Sequence, residues 1–291
     1  MKTHNKLILG TVQFGLDYGV NNHIGKPDCT KVKEILDFAY NNNIRILDTA
    51  EAYGDAHERI GAYHCGVNNR FKVITKFSPS QIDLPKDIIK RVKMNLRTLG
   101  VKSLYGYMFH SYEDFKHYFS SFEADLGLLK NQGIINKIGV SLHSNQELED
   151  VLKFENIDLI QLPFNLLDNS FQRKTVLNKA KEKGVEIHTR SVFLQGLFFK
   201  DIDKIKGNPQ QIIPEILELR KLTSGMLGIA DIALNYVCRQ TFIDKVLVGV
   251  DNIDQLKLNL LSLDKNLSEN IVRSIENIEV KDKILLNPSK W

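Results

Sequence analysis

A closed (β/α)8 barrel, an α/β fold, is what this sequence of 291 residues predicts. Three observations carry that expectation. Eight short β-type runs are nearly continuous in apolar residues, as strands are when both of their faces are buried. Helical patterns follow most of them, and regular βα alternation builds a parallel sheet. The turn after the first run reads LGTVQFGLDYG and lacks the GxGxxG fingerprint that an open doubly wound sheet usually carries there.

The elements follow in order. The first strand is KLILG at 6–10, with a helix over 30–42 beyond its long turn. IRILD at 44–48 leads to a helix at 56–64, and KVITK at 72–76 to one at 87–99. LYGYMFH at 104–110 precedes a helix near 122–132, and NKIGVS at 136–141 one near 146–154. IDLIQL at 157–162 precedes a helix at 172–183. VEIHTRS at 185–191 opens the longest gap, where 194–211 has the Gly and Pro content of a loop able to lie over a pocket. Two helices, 212–224 and 228–239, then lead to the last strand, KVLVGV at 245–250. Helices at 254–261 and 268–277 complete the set. No linker or low-complexity segment divides the chain, so residues 1–291 read as one domain, a size usual for such barrels.

Composition narrows the function. Lysines and acids are interspersed at a net charge of +4, with no basic block carrying interleaved aromatics, which argues against a nucleic-acid partner. Cys29, Cys65 and Cys238 are far apart and never in CxxC spacing, so neither a disulfide framework nor a structural zinc is expected. No apolar run reaches the roughly 18 residues of a membrane span, and none at the start resembles a signal peptide. A cytoplasmic protein with no metal and no membrane partner is the expectation.

In such a barrel the chemistry sits at the C-terminal ends of the strands. Polar residues fall there on most units: Asp48, Lys76, His110, Ser141, Gln161, Arg190 and Ser191, with Tyr53 in the loop after the second strand. Each alone has an ordinary reading, as a turn former, a helix cap or a solvated side chain. Together they make a convergent site. A lysine cation beside a phenol favours the phenolate and so makes the phenol a better proton donor. That cation, once buried, needs a carboxylate, and Asp48 is the candidate. His110 can then orient a carbonyl oxygen. A phenol acid with an orienting imidazole suits reduction of a carbonyl, for which hydride must come from a cofactor.

These residues also resemble a family. DTAEAYGDAHERIG is similar to the DTA-x-x-YG-x-x-E-x-x-x-G signature of the aldo-keto reductases, and VITKF and MFHSYED to their lysine and histidine segments. IGVSLHS, IDLIQLPFN, RSVFLQGLF and VLVGVDNIDQLKLNL resemble their later cofactor segments in the same order. The resemblance implies a (β/α)8 barrel that reduces a small-molecule carbonyl with NADP(H), or with NAD(H). It casts Tyr53 as general acid, Lys76 and Asp48 as the pair that tunes it, and His110 as the orienting group. It assigns Ser141 and Gln161 to the nicotinamide carboxamide and Arg190, with Ser191 beside it, to the nicotinamide face. Thr11 falls near the first loop's approach to the cofactor, Gly249 at the phosphates, and Gln255 and Asn259 at the adenosine end, although both also read as exposed helix residues.

Several departures bear on that picture. Leu142 follows Ser141 where an Asn is usual. Val250 and Gln255 replace a hydroxyl and an arginine found in many NADPH-preferring members, and Asp251 adds negative charge, which leaves NADH open. There is no room before the first strand for the hairpin that often plugs the barrel, so something else closes that end. His57 and His64 read as surface residues and His143 as able to reach the pocket. Trp291 either folds over the substrate mouth or packs on the barrel wall. A cofactor-sensing accessory protein, or a lyase or isomerase using Lys76 as a Schiff base, are the alternative functions. Substrate identity and oligomeric state are not encoded legibly.

Overall fold

Eight parallel strands pair in chain order and close, β8 returning to β1. They are β1 Leu7–Gly10, β2 Ile46–Asp48, β3 Lys72–Phe77, β4 Gly106–Phe109, β5 Ile138–Ser141, β6 Leu159–Pro163, β7 Glu186–Arg190 and β8 Lys245–Gly249. The structure, a computed structural model, describes residues 3–20, 22, 25–68, 70–81, 86–223 and 227–291. Every strand lies in a run expected from the sequence, with Phe77 and Pro163 as one-residue extensions.

Eleven helices occur among the described residues: α1 Val12–Gly15, α2 Cys29–Asn41, α3 Ala56–Gly66, α4 Ile88–Leu99, α5 Tyr112–Asn131, α6 Asn145–Val151, α7 Ser170–Glu182, α8 Ile213–Lys221, α9 Ile229–Cys238, α10 Ile253–Ser262 and α11 Glu269–Asn277. Two differ from expectation. The single turn α1 was not anticipated. Helix α5 begins ten residues before the expected 122, because Ser111 caps it by accepting from the Asp114 amide and because Phe115 and Phe119 stack at 4.8 Å and pack on Phe109. The expected end of one helix at 224 lies outside the described residues. The 194–211 segment folds into short 3-10 turns, at Leu194–Phe199, Ile202–Lys204 and Asn208–Ile212.

The core has two layers. A large shell fills the space between strands and helices. Inside the barrel lies a small cluster of Ile8, Ile46, Ile74, Met108 and Leu159, with Leu247 and Tyr105 against it. Side chains alternate along a strand. Two residues past each of these inward apolar groups, toward the C-terminal rim, come Gly10, Asp48, Lys76, His110, Gln161 and Gly249. The packing of the barrel centre therefore dictates which polar groups face one another above it.

The opposite end is closed by side chains. Tyr105, just before β4, donates its hydroxyl to both oxygens of Glu186 at 2.7 and 2.9 Å. Lys137 pairs with the same carboxylate at 2.6 Å, and His188 meets it from within the barrel. The Tyr105 ring lies parallel to His188, with the Lys72 and Lys137 ammonium groups 5.7 and 5.8 Å from its centre. Burial opposes ionisation of Glu186, but the donors from His188, Lys137 and Tyr105 outweigh it and hold the carboxyl below its ordinary range.

Candidate active site

Asp48, the last residue of β2, anchors the site. Its side chain is 3% exposed and that of Lys76, on β3, 1%, so the ion pair between them is almost wholly removed from water. Such a pair persists only when its remaining hydrogen-bonding groups are met. Here the Lys76 ammonium also donates to the Thr49 carbonyl at 3.2 Å, and Gln161 on β6 donates to the second Asp48 oxygen at 2.8 Å. Burial works against the charge on Lys76, but Asp48 more than restores it and raises the ammonium above its ordinary value.

Tyr53 comes from the loop between β2 and α3. The Lys76 ammonium is 5.4 Å from the centre of its ring. The His110 ring stands edge-on to it, with centroids 5.6 Å apart at 77°. Among the described residues nothing hydrogen-bonds to the Tyr53 hydroxyl or to the His110 ring, so both are free for a ligand. Burial first, then the Lys76 charge, lowers His110 to about 4, so the imidazole is neutral near pH 7.

The loop that carries Tyr53 is bolted down by a residue that the sequence reading passed over. The Glu51 side chain is fully buried and accepts from Arg91 Nε at 2.9 Å and Nη2 at 2.6 Å, both on α4. It also accepts from Asn95 at 2.6 Å, from the Tyr107 hydroxyl at 2.9 Å and from the Ser78 amide at 2.9 Å. The available signal was on α4, where Arg91 and Asn95 sit four residues apart on the apolar face of Ile88, Val92 and Leu99. On the other side of the loop, Gly15 of α1 touches the Tyr53 carbonyl so closely that a Cβ there would lie 1.7 Å from the oxygen.

The groups expected to meet a cofactor divide into two sets. The Ser141 hydroxyl and the Gln161 side-chain oxygen Oε1 have no protein partner among the described residues. Asn259 is buried at 7% exposure rather than exposed, and its amide has no partner among the described residues. Gln255 is exposed as expected, but its amide is engaged with Asp251 at 2.8 and 3.1 Å, in a reciprocal cap at the start of α10. Thr11 is fully buried, and its hydroxyl is spent on the Asp48 carbonyl at 2.9 Å, tying β1 to β2. The space over Gly249 is not open backbone. Gln13 fills it, with its amide atoms 2.7 and 2.9 Å from where a Cβ would be, and the Gln13 Oε1 is buried with no partner among the described residues.

Arg190, ending β7, reaches away from β8 toward the loop after β5. Its Nη2 donates to the Leu142 carbonyl at 3.2 Å and lies 2.9 and 3.2 Å from the His143 ring nitrogens. The loop that follows is strained: Ser191, Leu194 and Gln195 have φ of 61°, 48° and 54°, a region that residues with a side chain seldom adopt. Its Gln195 amide donates to the Tyr18 hydroxyl at 2.6 Å, drawing in the loop after β1. The histidines expected at the surface are buried instead: His57 pairs with Thr75 at 2.9 Å, and His64 bridges the Leu99 carbonyl and the Phe71 amide at 2.8 and 3.2 Å. Trp291 packs on the barrel wall and donates to the Leu285 carbonyl at 2.9 Å.

A profile described as the Aldo/keto reductase family matches residues 6–280. The chain belongs to the aldo/keto reductase family. As an aldo/keto reductase it is similar to a protein named NADH-specific methylglyoxal reductase from Escherichia coli, at 23% identity over 92% of both chains. It is also similar to an uncharacterized oxidoreductase from Bacillus subtilis, at 24% identity over 87% of this chain and 89% of that one. Among solved structures, the holo form of an aldo-keto reductase from Bacillus halodurans superposes with a TM-score of 0.75 at 22% identity, over 96% of this chain and 94% of that one. A glycerol dehydrogenase from Gluconobacter oxydans also gives 0.75, at 20% identity over 94% and 90%. The barrel is thus that of this oxidoreductase family. Among the described residues no helix is long and apolar enough to cross a membrane.

Proposed function

We propose that the protein reduces an aldehyde or ketone to the alcohol, with Tyr53 as general acid and a nicotinamide dinucleotide as co-substrate. The observation that carries this reading is the buried Lys76–Asp48 pair beneath a phenol and a neutral imidazole that both lack hydrogen-bond partners among the described residues. As a carbonyl oxygen gains charge, the Tyr53 hydroxyl gives it a proton, and the nearby Lys76 ammonium stabilises the phenolate left behind. Asp48 keeps Lys76 charged despite its burial. His110, neutral, donates an N–H to the same oxygen and sets its direction.

The residues fit such a cofactor. Along the β8–α10 side, the Gln13 Oε1 at the β8 glycine is buried without a partner and the Asn259 amide has none, among the described residues, and the Ser141 hydroxyl and the Gln161 Oε1 suit a carboxamide. Arg190 presents a planar group beside them for the nicotinamide face. A bound nicotinamide supplies the hydride. For the adenosine end we infer a preference for NADH over NADPH: Gln255 is held by the Asp251 carboxylate, which would repel a 2′-phosphate. The relative named for NADH specificity points the same way.

Two measurements test this. Fluorescence titration gives the two cofactor affinities, and tighter NADPH binding would refute the NADH preference. Tyr53→Phe is expected to lose about 10²-fold or more in kcat while its NADH affinity stays unchanged; full turnover in that variant removes Tyr53 from the mechanism. Tight NADH binding with no oxidation across a broad carbonyl panel would replace an enzyme with a cofactor sensor.

A further inference from the structure

We propose that the carbonyl substrate carries an anionic group, a carboxylate or a phosphate, and that Arg190 is its counter-ion. The proposal rests on the reductase reading and names the substrate class for that site.

Three buried cations around the rim each have a carboxylate: Lys76 has Asp48, Arg91 has Glu51 and Arg173 has Asp168, at side-chain exposures of 8% or less; Arg190 beside them is partly buried. Among the described residues Arg190 has no carboxylate in ion-pair contact; the nearby Asp168, which favours its charge, is spent on Arg173. The contacts of Arg190 are a carbonyl, a serine hydroxyl 3.4 Å away and the His143 ring. His143 cannot serve as an anion. Its ring is neutral, because burial and then the charges of Arg190, Arg173 and Lys290 lower it to about 4. Arg190 in turn is pressed by its own burial, which lowers it from its ordinary value. A partly buried guanidinium with no carboxylate of its own is costly, and such groups cluster where a ligand completes the balance.

The cofactor does not complete it. The nicotinamide ring is neutral when reduced and cationic when oxidised, and the side chain turns toward the loop after β5, away from the glycine of β8. Lys290, at the C-terminal tail, adds positive potential on the same side, as its effect on His143 shows. Tyr18 is held over the rim by Gln195; its hydroxyl accepts that bond and keeps its own proton to donate. Arg190, His143 and Tyr18 thus offer a fork of donors with one net positive charge. With Nη2 engaged by Leu142 and His143, the Nε and Nη1 hydrogens of Arg190 are left to make charge-assisted hydrogen bonds to a carboxylate or phosphate.

Matched substrate pairs test this with the full chain and NADH: benzaldehyde against 4-carboxybenzaldehyde, and glyceraldehyde against glyceraldehyde 3-phosphate. At least one anionic member should exceed its neutral partner by about tenfold or more in kcat/KM, and the pair that does so distinguishes carboxylate from phosphate. In Arg190→Gln that ratio should fall about tenfold or more, and Arg190→Lys should keep part of it. Ratios at or below one for both pairs, or a ratio unchanged in Arg190→Gln, overturn the proposal. Calorimetric titration with benzoate, benzamide and inorganic phosphate reads the site without turnover. Tyr53→Phe should still bind an anion, benzoate or phosphate, more tightly than it binds benzamide. If neither variant nor wild type reduces any carbonyl and benzoate still depends on Arg190, the reductase reading fails and the anion site stands. Equal binding of benzoate, phosphate and benzamide in wild type sinks the anion site alone.

Discussion

Asp48 shows how a single residue ties folding to chemistry. Its carboxylate faces Lys76 and Gln161 in a site closed to water, so removing its charge strands an ammonium. Asp48→Asn is expected to lose about 3 kcal/mol of stability, read as a lower urea midpoint, and to lower kcat as Lys76 loses its charge. Three histidines, His57, His110 and His143, are each held near 4, chiefly by burial. Between pH 6.5 and 4 the unfolded chain takes up protons that the native chain refuses, so stability is full above about 6.5 and falls as pH drops toward 4. Thermal melts from pH 4.5 to 7.5 should show this fall, and His57→Gln should make it shallower by up to one proton. Asp48, Lys76 and His110 were legible because each follows an apolar run whose two-residue period points it inward. The burial of His57 and His64 was not, because their partners Thr75, Leu99 and Phe71 belong to other elements.

At the scale of elements, the β2–α3 loop is clamped from two sides, by Arg91 and Asn95 of α4 through the loop's Glu51 and by Gly15 of α1. Gly15→Ala has no room: its methyl group would meet the Tyr53 carbonyl and the Ala56 amide, at 1.7 and 2.8 Å. Because both neighbours are backbone, the loop itself must shift, and a displacement of order 1 Å at a catalytic group can cost about 10²-fold in rate. The variant should therefore lose kcat by far more than its change in melting temperature would suggest, measured side by side. The sequence shows Gly15 and Tyr53 clearly, but their contact spans the whole β1–β2 crossover. Helix α5 was half legible: its Ser111–Asp114 cap is a recognisable start signal, while its aromatic first turns look as much like strand as helix.

The whole barrel was the most legible feature, because eight repeats of one pattern leave few topologies to consider. Its floor was the least legible. Tyr105 and Glu186 are 81 residues apart, and no local pattern couples them. Glu186 gathers Tyr105, His188 and Lys137 beneath the central aliphatic cluster. Glu186→Gln is expected to unfold at lower denaturant while leaving the opposite rim's kcat nearly unchanged, since an inner layer of Ile, Met and Leu separates them. Equal losses of stability and turnover would show that the two ends are coupled.

The left-handed torsions of Ser191, Leu194 and Gln195 have a bearing on how this barrel could be rebuilt. An idealised replacement would put glycine or asparagine at those torsions and gain stability. It would also let go of the amide that reins in Tyr18 and free the backbone next to Arg190. Any rigidity in selecting a substrate would then be traded for a tougher scaffold, so thermostabilising this chain and preserving its discrimination are opposed aims at that one corner.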